Sequence, residues 1–487
     1  MDEDNPSASG AFNKLPIELN KMIADYIESN QDIAHFAAAC RATHDAIEGD
    51  LGSFWRKRFR ETYAMALGKV NTKKEQGQQN YQLRKVYTVR SKILRRGTTV
   101  SFQFGLSKRE HYVLRILRDL IVESFKGETQ VYDEYDRPEC LNQRHIVRFI
   151  LNSKLFLGLK RIDSPSSPEE QGAYRAVAAV QLMCAHFLFN LADFDHDILS
   201  FDLSQKIVYE TTVKAPIFGG SHNSQINFEW ILHCLNFFRS HMMSQTQATM
   251  CDAFRMMTPG EKPSAWQAPL QHGCYPLAKN WRGTYAYLDI HELELIREIS
   301  KKTKKGVFNH VFMDKNIEDD KFNSLQDMSM KFYAPGQGGT WPTAFERHLH
   351  SKREPQVPRT RAQHRSEHTD PGPPAIMFSA EGEDEEHFYT KGWLNPLPPQ
   401  PANCVIPGWQ RITFMKYFLD EEDVGIEMDS LWAYEGVVLP GGRMMLGRWW
   451  YANNDPRSRS PENSGPFIFW AVDPDMDDMI ESDNDTD

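Results

Sequence analysis

The chain has 487 residues, 40% hydrophobic and 12% aromatic, which is too long for one ordinary domain and too apolar for a disordered protein. Its formal net charge is −10, but residues 473–487 hold eight acids and no base, so the acidity says little about the folded part. Seven scattered cysteines (Cys40, Cys140, Cys184, Cys234, Cys251, Cys274 and Cys404) without a C-x-x-C pair exclude a disulfide scaffold and predict reduced thiols.

Membrane insertion and secretion are not expected. The longest apolar stretch, Val177 to Leu191, is broken by Gln181, His186 and Asn190, short of the roughly 18 residues a span needs. The N-terminal MDEDNPSASG lacks the basic flank and apolar segment of a signal peptide, so a cytoplasmic and/or nuclear location is expected.

Residues 1–11 have the composition of a disordered leader. Pro16 suits the first position of a helix, where its missing N–H costs nothing. Leu15, Leu19, Met22, Ile23, Tyr26 and Ile27 then share one face, with Glu18, Asn20, Lys21 and Asp25 on the other. That apolar face must be buried against something. Asn30 or Asp32 is expected to cap a second helix with Ile33, Phe36, Ala37 and Cys40 in its stripe, and a third short element carries Ile47, Leu51, Phe54 and Trp55. Three short helices make a marginal core, which a permanent partner would complete.

Over residues 12–60 this pattern resembles the F-box. The resemblance rests on LPxEL at Leu15, Pro16, Glu18 and Leu19, and on the hydrophobics Ile23, Tyr26 and Ile27. It continues through Asp32 and Ile33, the A-C-R run at Ala39, Cys40 and Arg41, and the late aromatic pair Phe54 and Trp55 before basic residues. It implies binding to a Skp-type adaptor and, through it, to a cullin in an SCF ubiquitin ligase. The adaptor face it implies is Leu15, Pro16, Leu19, Ile23, Ile27, Ile33, Cys40 and Trp55.

Residues 61–262 read as a basic linker and an α-helical domain. From Arg56 to Arg118 only Glu61, Glu75 and Glu110 oppose a run of lysines and arginines. Clustered cations can bind nucleic acid, but these alternate with Tyr63, Leu67, Tyr81, Leu83, Val86, Tyr87, Ile93 and Leu94, as on helix faces turned to solvent or to a partner. Nucleic acid is therefore the less favoured reading. Ser107 and Glu110 have capping-box spacing ahead of a helical stripe at Val113, Leu114, Leu117, Leu120 and Ile121. Further helical stripes follow to about Met257, interrupted by the linker Ser164 to Glu170, and they do not repeat at a fixed length.

After Pro259 proline and glycine punctuate shorter, strand-like segments. The expected strands are Trp281 to Asp289, Val307 to Asp314, Met330 to Pro335, His387 to Leu394, Gly408 to Phe418, Leu431 to Leu439, Arg443 to Ala452 and Gly465 to Val472. One helix is expected at His291 to Lys302. PGG at Pro440 to Gly442 is a hairpin signal. The expectation for 263–472 is a mostly antiparallel β-barrel with a polar, proline-rich mobile loop at 351–375, followed by an acidic disordered tail at 473–487. The fold class is thus multidomain α+β. A barrel interior can also leave room for a ligand. W-x-G-T-Y at Trp281 is faintly similar to the opening of lipocalin-like barrels. The C-terminal half resembles the non-F-box region of filamentous-fungal F-box proteins and, more loosely, the F-box-only-31-like group, most densely at YEGVVLPGGRMMLGRWW.

Catalytic and metal signals are weak. His348, His350, His364, His368 and His387 beside Glu385 and Glu386 lie close in sequence, but His364 and His368 sit in the proline-bounded loop with no cysteine near. The acidic tail mimics a calcium loop, yet has Asp478 where the turn glycine belongs and Asn484 at the twelfth position. GQGG at 336–339 lacks the Lys-Ser/Thr of a phosphate cradle. No catalytic motif and no cofactor is therefore assigned. Eight of the eleven tryptophans fall between Trp281 and Trp470, and Trp341, Trp409, Arg443, Arg448 and Trp449 are the candidates for gripping a substrate peptide. The reading is a non-catalytic substrate receptor. The alternatives are a barrel enzyme or small-molecule binder whose F-box controls its own turnover, and an F-box scaffold acting outside ubiquitin ligases.

Overall fold

The computed structural model describes residues 8–102, 107–127, 131–132, 138–156, 168–190, 198–211, 216–220, 223–244, 250–302, 311–317, 325–334, 337, 341–342, 344–349, 375–384, 386–400, 405–420, 425–452 and 463–473. The chain divides into two compact units, residues 1–98 with 119–149 and residues 99–118 with 150–487. These boundaries differ from those expected at 60 and 262. The N-terminal helices share a unit with residues 61–98, and the later helices share one with the barrel.

In the first unit, α1 (Ala8–Asn13) stands where a polar leader was expected up to residue 11. The stretch expected to hold three helices holds four, α2 (Ile17–Asp25), α3 (Asn30–Ala39), α4 (Arg41–Glu48) and α5 (Ser53–Thr62). The extra break falls at Gly49 to Gly52, inside the expected third element, whose Ile47 lies in α4 and whose Phe54 and Trp55 lie in α5. α3 and α4 part at Cys40, which is fully extended (φ −161°), with its N–H bonded to Thr43 Oγ1 at 3.1 Å. Ser29 caps α3, accepting from the N–H groups of Gln31 and Asp32, so neither Asn30 nor Asp32 is the cap. Between α4 and α5 the chain turns through Leu51, at φ 53°. That left-handed turn is strained for a leucine, and Asn80 holds it by donating to Leu51 O at 3.0 Å.

Asn80 belongs to the long α6 (Lys73–Gly97), which starts with a Thr72/Glu75 capping box. The unit's second segment brings the end of α7 (Lys108–Glu123), a short hairpin of β1 (Val131–Tyr132) and β2 (Pro138–Glu139), and α8 (Leu141–Asn152). Buried Asn142 bonds both the N–H and the C=O of Ala64 and the carbonyl of Leu120, locking these pieces together. Buried Arg90 pairs with Glu123 at 2.5 Å, and burial pushes the Glu123 carboxyl up in pKa. The capping box expected at Ser107 and Glu110 is present, each backbone N–H bonded to the other's side chain.

The second unit combines α9 (Pro168–Ala185), α10 (Phe201–Tyr209), a ribbon of β3 (Phe218–Gly219) and β4 (Gln225–Ile226), α11 (Phe228–Met243) and α12 (Cys251–Met256) with the barrel. One segment, Gly172–Phe189, is long and apolar enough by length and composition to cross a bilayer, which reading the charged and polar interruptions alone did not suggest. It is 72% buried inside the molecule, as a core helix is.

Eight strands close the barrel: β5 (Asn280–Tyr285), β6 (Gln326–Phe332), β7 (Ile376–Glu383), β8 (His387–Pro396), β9 (Gln410–Tyr417), β10 (Trp432–Val438), β11 (Met444–Tyr451) and β12 (Ser464–Ala471). Each pairs antiparallel with its sequence neighbour, and β12 returns to β5 through registers such as Trp470↔Arg282, so every edge is paired. The helix expected at His291 is α13 (Ile290–Lys302).

One expected strand is not one. Residues 311–314 form no strand, because Phe312 exchanges its backbone bonds with the Gln205 side chain, accepting at 2.7 Å and donating at 2.8 Å. Its place in the barrel is taken by β7, which begins directly after the region expected to be a loop. Residues 351–374 of that loop, with His364 and His368, lie outside the described residues, as do the tail beyond 473 and Cys404.

The barrel interior is filled with rings. Phe414 stacks on Tyr434 with centroids 4.6 Å apart, and Phe467 packs edge-on to Tyr434. The space for Phe467 comes from Gly436 and Gly447, where a Cβ would lie 2.9 and 2.6 Å from its ring. On the outer face α11 covers β11 and β12, and the Cys234 thiol sits 4.0 and 3.8 Å from Gly447 O and Phe467 O.

Candidate docking surface

The sequence marks α2 as amphipathic and expects its apolar face to be buried against something, a partner included. The structure turns that face away from the chain's own core. Asn20 and Ala24, one turn apart, face inward and are completely buried, and Asn20 Nδ2 donates to Phe12 O at 3.1 Å. The stripe Leu19, Met22, Ile23 and Tyr26 therefore points outward, 43%, 53%, 37% and 84% exposed. Residues at i, i+3, i+4 and i+7 make one continuous ridge, extended by exposed Ile17.

Side-chain ion pairs fix the helix in this pose. Lys21 Nζ reaches Asp50 Oδ2 at 2.9 Å and the Ser53 hydroxyl, and Lys57 Nζ reaches Asp25 Oδ2 at 2.5 Å. The hydrogen bond from Lys21 lowers the Asp50 carboxyl pKa, and the bond to Asp25 raises that of the Lys57 ammonium. Arg58 donates to the carbonyl of Glu28 at 2.8 Å, so part of the basic run that begins at Arg56 holds the helical module together.

The eight residues of the expected adaptor face divide into two groups. Pro16, Leu19 and Ile23 are exposed, and Leu15 and Ile27 are half-buried next to them. Cys40 is half-buried at the α3–α4 junction, bonded to Thr43, which lowers its thiol pKa. Ile33 and Trp55 are buried and form no part of the exposed α2 ridge. Met22 and Tyr26, absent from that set, are the most exposed members of the ridge. Their place on the same helical stripe as Leu19 and Ile23 is the sequence signal for them.

The expected substrate-gripping residues of the barrel fare differently. Trp449 points into the barrel interior, with its indole N–H bonded to Ala286 O at 3.2 Å. Arg448, next along the strand, faces outward but is wholly covered; it bonds Ser464 Oγ at 2.8 Å, and desolvation lowers its pKa. Trp409 is buried edge-on to Phe228 at 5.0 Å. Arg443 is tied to Asp473 at 2.6 Å and to the Ser264 hydroxyl. Trp409, Arg448 and Trp449 are thus covered within the chain, and Arg443 is half-buried in its ion pair. Trp341 is half-buried, packed edge-on to Phe345 and Trp393.

Two buried polar networks in the same unit hold its layers. Asp314 Oδ1 accepts from the Tyr209 hydroxyl at 2.9 Å, while its Oδ2 accepts from Gln205 at 2.7 Å and lies 3.0 Å from His241 Nε2. Arg411 pairs with Glu435 at 3.5 Å on the outer barrel face. Among the described residues no three His, Cys, Asp or Glu side chains are grouped so as to hold a metal. The six described cysteines are free thiols.

Compared with family models, curated proteins and solved structures, the chain matches none of them.

Proposed function

We propose that this chain is a substrate-recognition subunit of an SCF ubiquitin ligase, in which the α2 ridge binds a Skp-type adaptor and the barrel unit recruits a target protein. The observation that carries this reading is the outward apolar ridge of Leu19, Met22, Ile23 and Tyr26 within the LPxEL-containing segment. Four large apolar side chains in one exposed stripe are what a helix presents to a partner. On this reading the chain performs no covalent step; it raises the effective concentration of target lysines near a charged ubiquitin-conjugating enzyme.

The filled barrel interior favours recruitment of a protein over the alternative of a small-molecule binder or barrel enzyme. Co-purification tests the reading. Wild-type chain retains a Skp-type adaptor and, through it, a cullin, whereas Leu15→Ala/Pro16→Ala loses both. Equal recovery of the adaptor by the two proteins rejects it, and adaptor without cullin points to a scaffold outside the ligase.

A further inference from the structure

The first unit carries a second surface, separate from the α2 ridge. A groove of about 800 Å³ runs between α3, α4 and α6, and none of its lining residues lies on α2. Its floor is apolar, built on buried Ile33 and Ile47. One wall is Ala34, Ala37 and Ala38, at i, i+3 and i+4 of α3. Small side chains in that spacing leave a helix free to approach α3 closely, the arrangement of helix-in-groove recognition.

The opposite wall is α6, and its charge is one-sided. Arg84, Lys92, Arg95 and Arg96 line the groove along about 18 Å of helix. Glu48 is the only acid in the lining, and Arg84 already pairs with it at 2.7 Å while lying over the Trp55 ring. Lys92 and Arg95 are exposed and make no ion pair among the described residues. An apolar trough with a cationic bank is complementary to an apolar helix face flanked by carboxylates. It suits a nucleic acid less, because the two aromatic rings in its lining, Trp55 and Tyr87, are buried and offer no platform for stacking bases.

We propose that this groove docks an acidic amphipathic helix of a partner protein, its apolar side chains on Ile33, Ile47 and the alanine wall and its carboxylates on Lys92 and Arg95. The proposal does not depend on the adaptor reading.

Fluorescence anisotropy of the full chain tests it, using a fluorescein-labelled designed helix with leucines along one face and glutamates on its flanks. The expected result is saturable binding, weakened about tenfold or more by Lys92→Glu/Arg95→Glu and unchanged by Leu19→Asp/Ile23→Asp. Both pairs sit on exposed helix positions, and circular dichroism verifies that each variant is folded. The proposal is overturned by any of three results: no saturable binding, equal binding of the same helix with lysines in place of glutamates, or tighter binding of an oligouridylate than of the acidic helix.

Discussion

The side-chain amide of Asn20 donates to the carbonyl oxygen of Phe12 at 3.1 Å, joining α2 to α1 on the side of α2 that faces the core. With Asn20 and Ala24 inside, Leu19 and Ile23, each one position before them, are left outside together with Met22 and Tyr26. The polar residue occupies the buried position, and the ridge of Leu19, Met22, Ile23 and Tyr26 is left exposed.

Removing this amide loosens α1 from α2. Asn20→Ala is expected to cost about 1–2 kcal/mol, the value of a buried hydrogen bond whose carbonyl partner is orphaned. Native-state hydrogen exchange reads it as faster exchange in α1 and α2 with no change in the barrel strands. Unchanged protection in those two helices contradicts the assignment.

His186 makes the second unit acid-sensitive. Its ring is wholly buried, with Nδ1 3.1 Å from Met183 O, and desolvation lowers its pKa from 6.5 to about 4. Between these values the unfolded chain takes up a proton that the folded chain refuses. Stability is therefore complete above pH 6.5 and falls as the pH drops toward 4, by about 3 kcal/mol at the lower end. Thermal melts at pH 7 and pH 4.5 should differ less for His186→Gln than for wild type, and an equal difference in both rules out His186 as a source.

Asp314 supports three donors at once. Asp314→Ala removes from the interior a carboxylate that Tyr209, Gln205 and His241 share, at a cost of about 3–5 kcal/mol. For a unit of this size that is a fall of roughly 5 °C in melting temperature, visible in tryptophan fluorescence. Asp314→Asn, which keeps an acceptor oxygen, should fall less. Equal losses would mean the network is not what matters there.

Two glycines are expected to respond oppositely. At Gly447 a Cβ would lie 2.2 Å from Glu435 O and 2.6 Å from the Phe467 ring, so Gly447→Val should cost about 3 kcal/mol or more. At Gly172 in α9 nothing lies within 4 Å, and Gly172→Ala should stabilise by up to about 1 kcal/mol through helix propensity. Urea midpoints of the two variants decide this, and a tolerated Gly447→Val would refute the packed interior.

The barrel was legible in the sequence because most of its strands alternate between small and bulky residues, and the turn at Pro440 to Gly442 sits between two of them. Two misreadings within it share a cause. The segment ending at Asp314 has the composition of a strand, but Gln205, about a hundred residues earlier, takes its backbone bonds. Distant partners of this kind leave no local signal. Trp449 and Arg448 are candidates for gripping because Trp and Arg are favoured interface anchors, a preference that does not depend on what covers the strand. Here helices cover the outer side of β11, so both faces are buried. On α2 the periodicity identified the apolar stripe correctly. Which way that stripe faces depends on Phe12 and Asn20 meeting across a turn, which periodicity does not encode.

The central claim is that the α2 ridge is the adaptor-binding surface. Isothermal titration calorimetry of a purified Skp-type adaptor against the full chain and its Leu19→Asp/Ile23→Asp variant tests it most directly. The account predicts tight binding by wild type and affinity at least about a hundredfold lower in the variant, consistent with loss of two buried anchors. Both proteins should melt at the same temperature, since these side chains are exposed in the chain itself. No heat from wild type, or equal affinities for the two proteins, would contradict it.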